Sequence, residues 1–149
     1  MLITEIEKIF KTGDQQQIEM MARRILTRGR SHTFMQDLSQ YAEQFNDLLS
    51  KTDPEAKDYL ALVYILAEHL KEIKEGACPC SIIQKAVYNN PGRLNGILEV
   101  LDERFIVQEY CTIIYSRCLA CCKEYESKTF ESGFGQKVIW NERPFINEC

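Results

Sequence analysis

Hydrophobic positions in the first half of the chain recur at the three-to-four spacing of amphipathic helices. Ile3, Ile6, Ile9 and Phe10 form one stripe, which Gly13 ends. Asp14 then stands where it can cap a second helix, with Gln17 reaching back, and that helix sets Ile18, Met21, Ile25 and Leu26 on one side before Gly29. Ser31 caps a third predicted helix whose buried side is Phe34, Met35, Leu38, Tyr41, Phe45, Leu48 and Leu49, a five-turn pattern. Asp53-Pro54 predicts the start of a fourth, because Asp is a good N-cap and proline suits a first-turn position whose N–H has no intrahelical partner. This helix runs to about Glu75, and its YLALVYIL stretch is apolar on every side, as in a central helix covered by several neighbours.

After Gly76 the texture changes to β-branched and aromatic residues broken by turn signals. Strands are predicted near Ile82 to Tyr88, Gly96 to Leu101, Phe105 to Arg117, Cys122 to Phe130 and Gln136 to Trp140. Asn89-Asn90-Pro91-Gly92, Asp102-Glu103-Arg104 and Ser132-Gly133-Phe134-Gly135 supply the turns. The expected fold is α+β in a single domain. Residues 1–76 form a helical half of about four helices, packed on an antiparallel sheet in residues 77–149 with a zinc-ribbon-like knuckle.

Length and composition fit that picture. The chain has 149 residues, 45% hydrophobic and 27% charged, enough to bury a core without crosslinks. Its net charge of -4 argues against a dedicated nucleic-acid binder, and neither half is basic. Arg23, Arg24, Arg28 and Arg30 gather at a helix end, where cations complement the dipole. The N-terminal MLITEIEKIF does not read as a secretory signal, and the apolar run Leu60 to Ala67 is too short to cross a bilayer. The expected location is the cytoplasm, where thiols stay reduced and closely spaced pairs favour metal over disulfides.

That expectation gives the cysteines their meaning, since six of the seven lie between positions 78 and 122. Cys78-Pro79-Cys80 presents two thiols around one rigid residue, and Cys118-Leu119-Ala120-Cys121 presents two more at the C-x-x-C spacing of a tight turn. Four soft thiolates closing around one ion point to a structural Zn²⁺, with no position left for water or substrate. Cys122 is an alternative to Cys121. The four could also be small buried hydrophobes, and a redox role for Cys118 and Cys121 is weaker because no helix follows to lower a thiol pKa. Cys111 reads as core and Cys149 as a mobile free thiol.

From Cys78 to Trp140 the order of CPC, strand, NP turn, β-rich stretch, CLAC, KEYESKTF and a final aromatic segment resembles small bacterial immunity proteins, the partners of secreted polymorphic toxins. In that pattern a glycine often follows the second C-x-x-C cysteine; here Cys122 stands in its place. The resemblance implies a non-enzymatic inhibitor that binds and blocks a toxin domain inside the cell making it. A basic, nuclease-like toxin would suit an acidic inhibitor. Candidate contacts are acids beside aromatics: Glu99, Asp102, Glu103, Glu124, Tyr125, Glu126, Phe134 and Trp140.

Other functions find less in the chain. His32 is expected to be exposed beside the Ser31 cap, and His69 to serve as a cation near a helix C-terminus. No nucleophile elbow, phosphate-binding glycine loop or His-Glu-x-x-His motif occurs, so an enzyme is not expected. A zinc-ribbon module touching nucleic acid or a transcription partner is the alternative, with only Arg117 and Lys123 flanking the knuckle. The sequence leaves the oligomeric state open.

Overall fold

A computed structural model describes residues 3–27, 31–51, 60–85, 94–133 and 135–143. Its described elements are five α-helices followed by a four-stranded antiparallel sheet, an α+β architecture. The helices are α1 (Ile3–Thr12), α2 (Gln15–Thr27), α3 (His32–Ser39), α4 (Ala42–Ser50) and α5 (Ala61–Lys74).

The local signals act as their chemistry requires. Gly13 ends α1 at φ 65° with its N–H on Phe10 C=O. Asp14 Oδ1 then accepts from the N–H groups of Gln16 and Gln17, two donors that the first turn of α2 leaves without helical partners. Ser31 Oγ accepts from Phe34 N–H at 3.2 Å and starts α3. Gly76, at φ 107°, closes α5 with its N–H on Ile73 C=O while Ala77 N–H reaches Glu72 C=O. The Asp53-Pro54 start and the Gly29 stop lie outside the described residues.

The single long third helix is instead two. α3 ends at Ser39, whose hydroxyl bonds back to Gln36 C=O, and Tyr41 N–H closes a turn on Leu38 C=O. The break re-aims the second piece, so that Ala42, Phe45 and Leu49 enter the core and Tyr41 is left exposed. α5 is the central helix: Val63, Leu66, Ala67, Leu70 and Ile73 are buried, and α2, α3 and α4 all pack on it. Phe10 meets Phe45 edge-on, ring centroids 5.6 Å apart, which ties α1 into the same core.

The strand predicted from Ile82 is a 3-10 helix over Pro79–Lys85. Ile82 and Ile83 are consecutive and both buried, a burial pattern that the strict alternation of a half-buried strand does not allow. The segment lies on α5 and α3, and Lys85 fixes its end to Glu72 at 2.9 Å and Glu68 at 3.5 Å.

The strands β1 (Leu98–Ile106), β2 (Cys111–Cys118), β3 (Glu124–Ser132) and β4 (Gly135–Glu142) form a simple meander in chain order. The turn predicted at Asp102-Glu103-Arg104 lies inside β1 as a register shift between Val100 and Asp102. The chain turns later, over Val107–Tyr110, where Tyr110 takes φ 48°. β3 and β4 are joined near Ser132 and Gly135 as the turn signal predicts.

Cross-strand pairing sorts the side chains onto two faces. One carries Leu98, Val100, Glu103, Phe105, Ser116, Cys118, Tyr125 and Trp140. The other carries Glu99, Asp102, Tyr115, Arg117, Glu124 and Glu126. Leu98, Cys118 and Tyr125 belong to the buried core, so the sheet meets the helical body at its base, while its backbone contacts are chiefly between strands.

Candidate metal centre

The base of the sheet is where the two cysteine pairs meet. The 3-10 helix carries Cys80 and is entered through Cys78, and the β2–β3 turn carries Cys118 and Cys121. Cys118 N–H bonds to Lys123 C=O at 2.9 Å and Cys122 N–H to Cys118 C=O at 3.1 Å, which folds the turn tightly enough to aim both of its sulfurs at the 3-10 helix. Leu119 N–H reaches Ile97 C=O and holds the turn against the entrance to β1.

All four Sγ atoms lie within 4.8 Å of one another. Cys78 and Cys118 are 3.5 Å apart, Cys80 and Cys121 3.6 Å. A tetrahedral ion with metal–sulfur bonds of about 2.3 Å sets its ligands roughly 3.8 Å apart, so this cluster fits such an ion with little movement. The same gaps far exceed a disulfide bond of about 2.05 Å, and all four thiols are free. Cys122 is not in the cluster: it is disulfide-bonded and has φ 61°. That left-handed backbone is the geometry a glycine supplies without strain.

Donors surround the sulfurs. Ala120 N–H and Cys121 N–H point at Cys118 Sγ at 3.4 and 3.5 Å, and Tyr125 O–H donates to Cys80 Sγ at 3.1 Å. Cys118 is therefore the sulfur most readily held as thiolate: its pKa falls well below the usual thiol range, chiefly through hydrogen bonding from the Cys80 thiol, then from the two backbone N–H groups, against the effect of burial. Cys80 moves up, as the donor to Cys118 and by burial, and burial pushes Cys78 up to about 11. An ion bound there would take the place of the thiol protons.

His32 was not legible as part of this site. It is half-buried, with Nε2 3.1 Å from Ile97 C=O and 3.5 Å from Cys118 Sγ, eighty-six positions away in sequence. A carbonyl only accepts, so Nε2 carries the proton and offers it to both oxygen and sulfur. That makes His32 a donor to Cys118 and unsuited to act as its general base. Its Nδ1 is buried with no partner among the described residues.

His69 also departs from expectation. Only 1% exposed on α5, it has its pKa lowered to about 4, first by burial and then by Lys85, so it is neutral at pH 7 and is not a helix-end cation. Cys111 is buried, as expected, with its thiol on Glu109 Oε2 at 3.6 Å. The Cys149 expectation lies outside the described residues.

In comparisons with known proteins, no family model, no curated protein and no solved structure matches the chain. The site therefore has to be read from its own geometry.

The proposed partner contacts do not form one patch. Tyr125 is buried, with its hydroxyl on Cys80, and Trp140 is half-buried against it, edge-on at 6.2 Å; both are packing residues and not exposed aromatics. Glu99, Asp102, Glu124 and Glu126 share the opposite face from Glu103. Glu99 pairs with Arg117 at 2.8 Å, Asp102 with Arg104 at 2.7 Å, and Glu124 with Arg143 at 3.8 Å, whose guanidinium also lies over the Tyr115 ring. Phe134 lies outside the described residues. The two cations flanking the knuckle are also paired, Arg117 with Glu99 and Lys123 with Glu142 at 3.1 Å.

No described helix is long and apolar enough to cross a membrane.

Proposed function

We propose that this chain is a non-enzymatic cytoplasmic binding protein whose sheet is fixed to its helical body by a structural zinc held by Cys78, Cys80, Cys118 and Cys121, and that its partner is a cognate bacterial toxin domain, as for an immunity protein. The observation that carries the zinc reading is the set of four cysteine sulfurs within 4.8 Å of one another. A full thiolate set favours a soft, borderline ion such as Zn²⁺ and leaves no coordination position for substrate, which suits architecture better than catalysis.

The toxin partner is supported by the order of motifs from Cys78 to Trp140 and by the chain's acidic balance. Co-expressing the chain with a toxin-domain product encoded beside its gene tests it: rescue of growth together with a co-purifying complex is expected, and a toxin that still kills and does not bind ends the immunity reading. A zinc-ribbon function on nucleic acid is less well supported, because Arg117 and Lys123 are each bound to a carboxylate and offer phosphate little unpaired charge.

A further inference from the structure

The face of the sheet that is core at its base continues outward along β1 without cover. Val100 is 54% exposed and Phe105 60%, although they share that face with the buried Leu98, Cys118 and Tyr125. Leu101 at the register shift is exposed too, and the turn that follows presents Val107 at 64% and Tyr110 at 72%. Half of the exposed large hydrophobics described are thus gathered between positions 100 and 110. β1 is also an edge strand, so among the described residues one side of its backbone has no strand partner.

The charge around this strip is one-sided. Glu99 is paired with Arg117 and Asp102 with Arg104, and Glu103 and Glu109 leave the strip with a net negative charge. Glu103 lies on the apolar face, between Val100 and Phe105. A second copy of the chain suits the strip poorly: antiparallel pairing of two β1 edges about Glu103 would set Glu103 against Glu103 and bring two acidic edges together.

We infer that the outer edge of β1, with the Val107–Tyr110 turn, is a docking surface for an extended, basic segment of another protein, which adds to the sheet as a fifth strand. Main-chain hydrogen bonds to the free edge hold the segment. A Lys or Arg opposite Glu103 and apolar side chains over Val100 and Phe105 set its register. The register shift at Leu101 limits regular pairing to the stretch from Asp102 to Ile106. This rests on the reading of the chain as a binding protein but on neither the zinc nor the toxin.

The test uses the full chain and three fluorescent peptides of about ten residues: one of valine and isoleucine with lysine at every fourth position, so that lysine and an apolar residue alternate along one face, one with glutamate in place of lysine, and the basic one N-methylated at alternate backbone nitrogens. Anisotropy titrations should show the basic peptide binding, the acidic and N-methylated ones not, and binding weakening with salt. Phe105→Ser and Glu103→Lys, both at exposed positions, should each weaken binding by about tenfold or more. Ile139→Ser, an exposed change on β4, should leave it unaltered. Unchanged metal content and circular dichroism show that the variants are folded.

The inference is overturned if the basic peptide does not bind, if the acidic or methylated peptide binds as well, or if Phe105→Ser and Glu103→Lys change nothing. A concentration-dependent dimer abolished by Phe105→Ser would also overturn it, by giving the strip to a second copy. None of these results depends on toxin neutralisation, so the two readings fail separately.

Discussion

The Tyr125 phenol donates to Cys80 Sγ at 3.1 Å, across forty-five positions of sequence, and so joins the base of the sheet to the helical side of the cysteine cluster. The ring is buried and braced edge-on by Trp140, so the hydroxyl has a fixed aim. Burial and this bond to Cys80 raise the phenol's pKa, which keeps it a donor at any ordinary pH.

Tyr125→Phe keeps the ring and removes only that donor. The cost should be about 1.5 kcal/mol, the low end for hydrogen bonds to charged groups, since Cys80 would be a thiolate with an ion bound. In a chelator competition the variant should lose its metal several-fold more readily than the parent while circular dichroism stays unchanged. Equal retention would show that the bond does not support the site.

His69 makes stability depend on pH. Its folded pKa of about 4 lies below the ordinary histidine value of 6.5, so between those values the unfolded chain binds more protons and stability is lost as pH falls. A gap of that size corresponds to about 3 kcal/mol at most, present above pH 6.5 and gone once pH has dropped through 4. Lys85 adds to the depression, while Glu72 and the Pro79 carbonyl oppose it. Urea titrations from pH 7 to 4 should show His69→Leu losing less stability than the parent over that range, and parallel curves would contradict the assignment.

The left-handed backbone of Cys122 ranks substitutions there in an unusual order. Under reducing conditions Cys122→Gly should leave metal binding intact and add up to about 1 kcal/mol, whereas Cys122→Val should cost about 1–2 kcal/mol because a β-branched residue resists positive φ. Thermal unfolding of the metal-loaded variants measures both, and a valine variant as stable as the glycine one would show that the turn does not hold this conformation.

Where chemistry is local, the sequence reading and the structure agree. Asp14, Ser31 and Gly76 act on backbone groups within a few positions of themselves, so their identity alone predicts the helix ends. The four cysteines were legible for a related reason, because spacing within each pair constrains which sulfurs can converge. Features decided by distant packing were not. Ile82 and Ile83 look like strand residues, yet α5 and α3 offer them a buried surface that a 3-10 helix fills better. Asp102-Glu103-Arg104 resembles a turn, but pairing with β2 carries the strand through it. His32 and Tyr125 join the cysteine site only because the fold brings α3 and β3 to it, and no short-range pattern marks either.

Metal content is the measurement that tests the central claim most directly. Protein purified without chelators and analysed for elements should contain about one zinc per chain, and Cys80→Ser and Cys118→Ser should each lose it, with the sheet loosened from the helical body. Chelation of the parent should reproduce that loosening as raised amide exchange at Leu98, Cys118 and Tyr125. A folded parent with all four thiols titratable, no bound metal and no change on adding zinc would contradict the account.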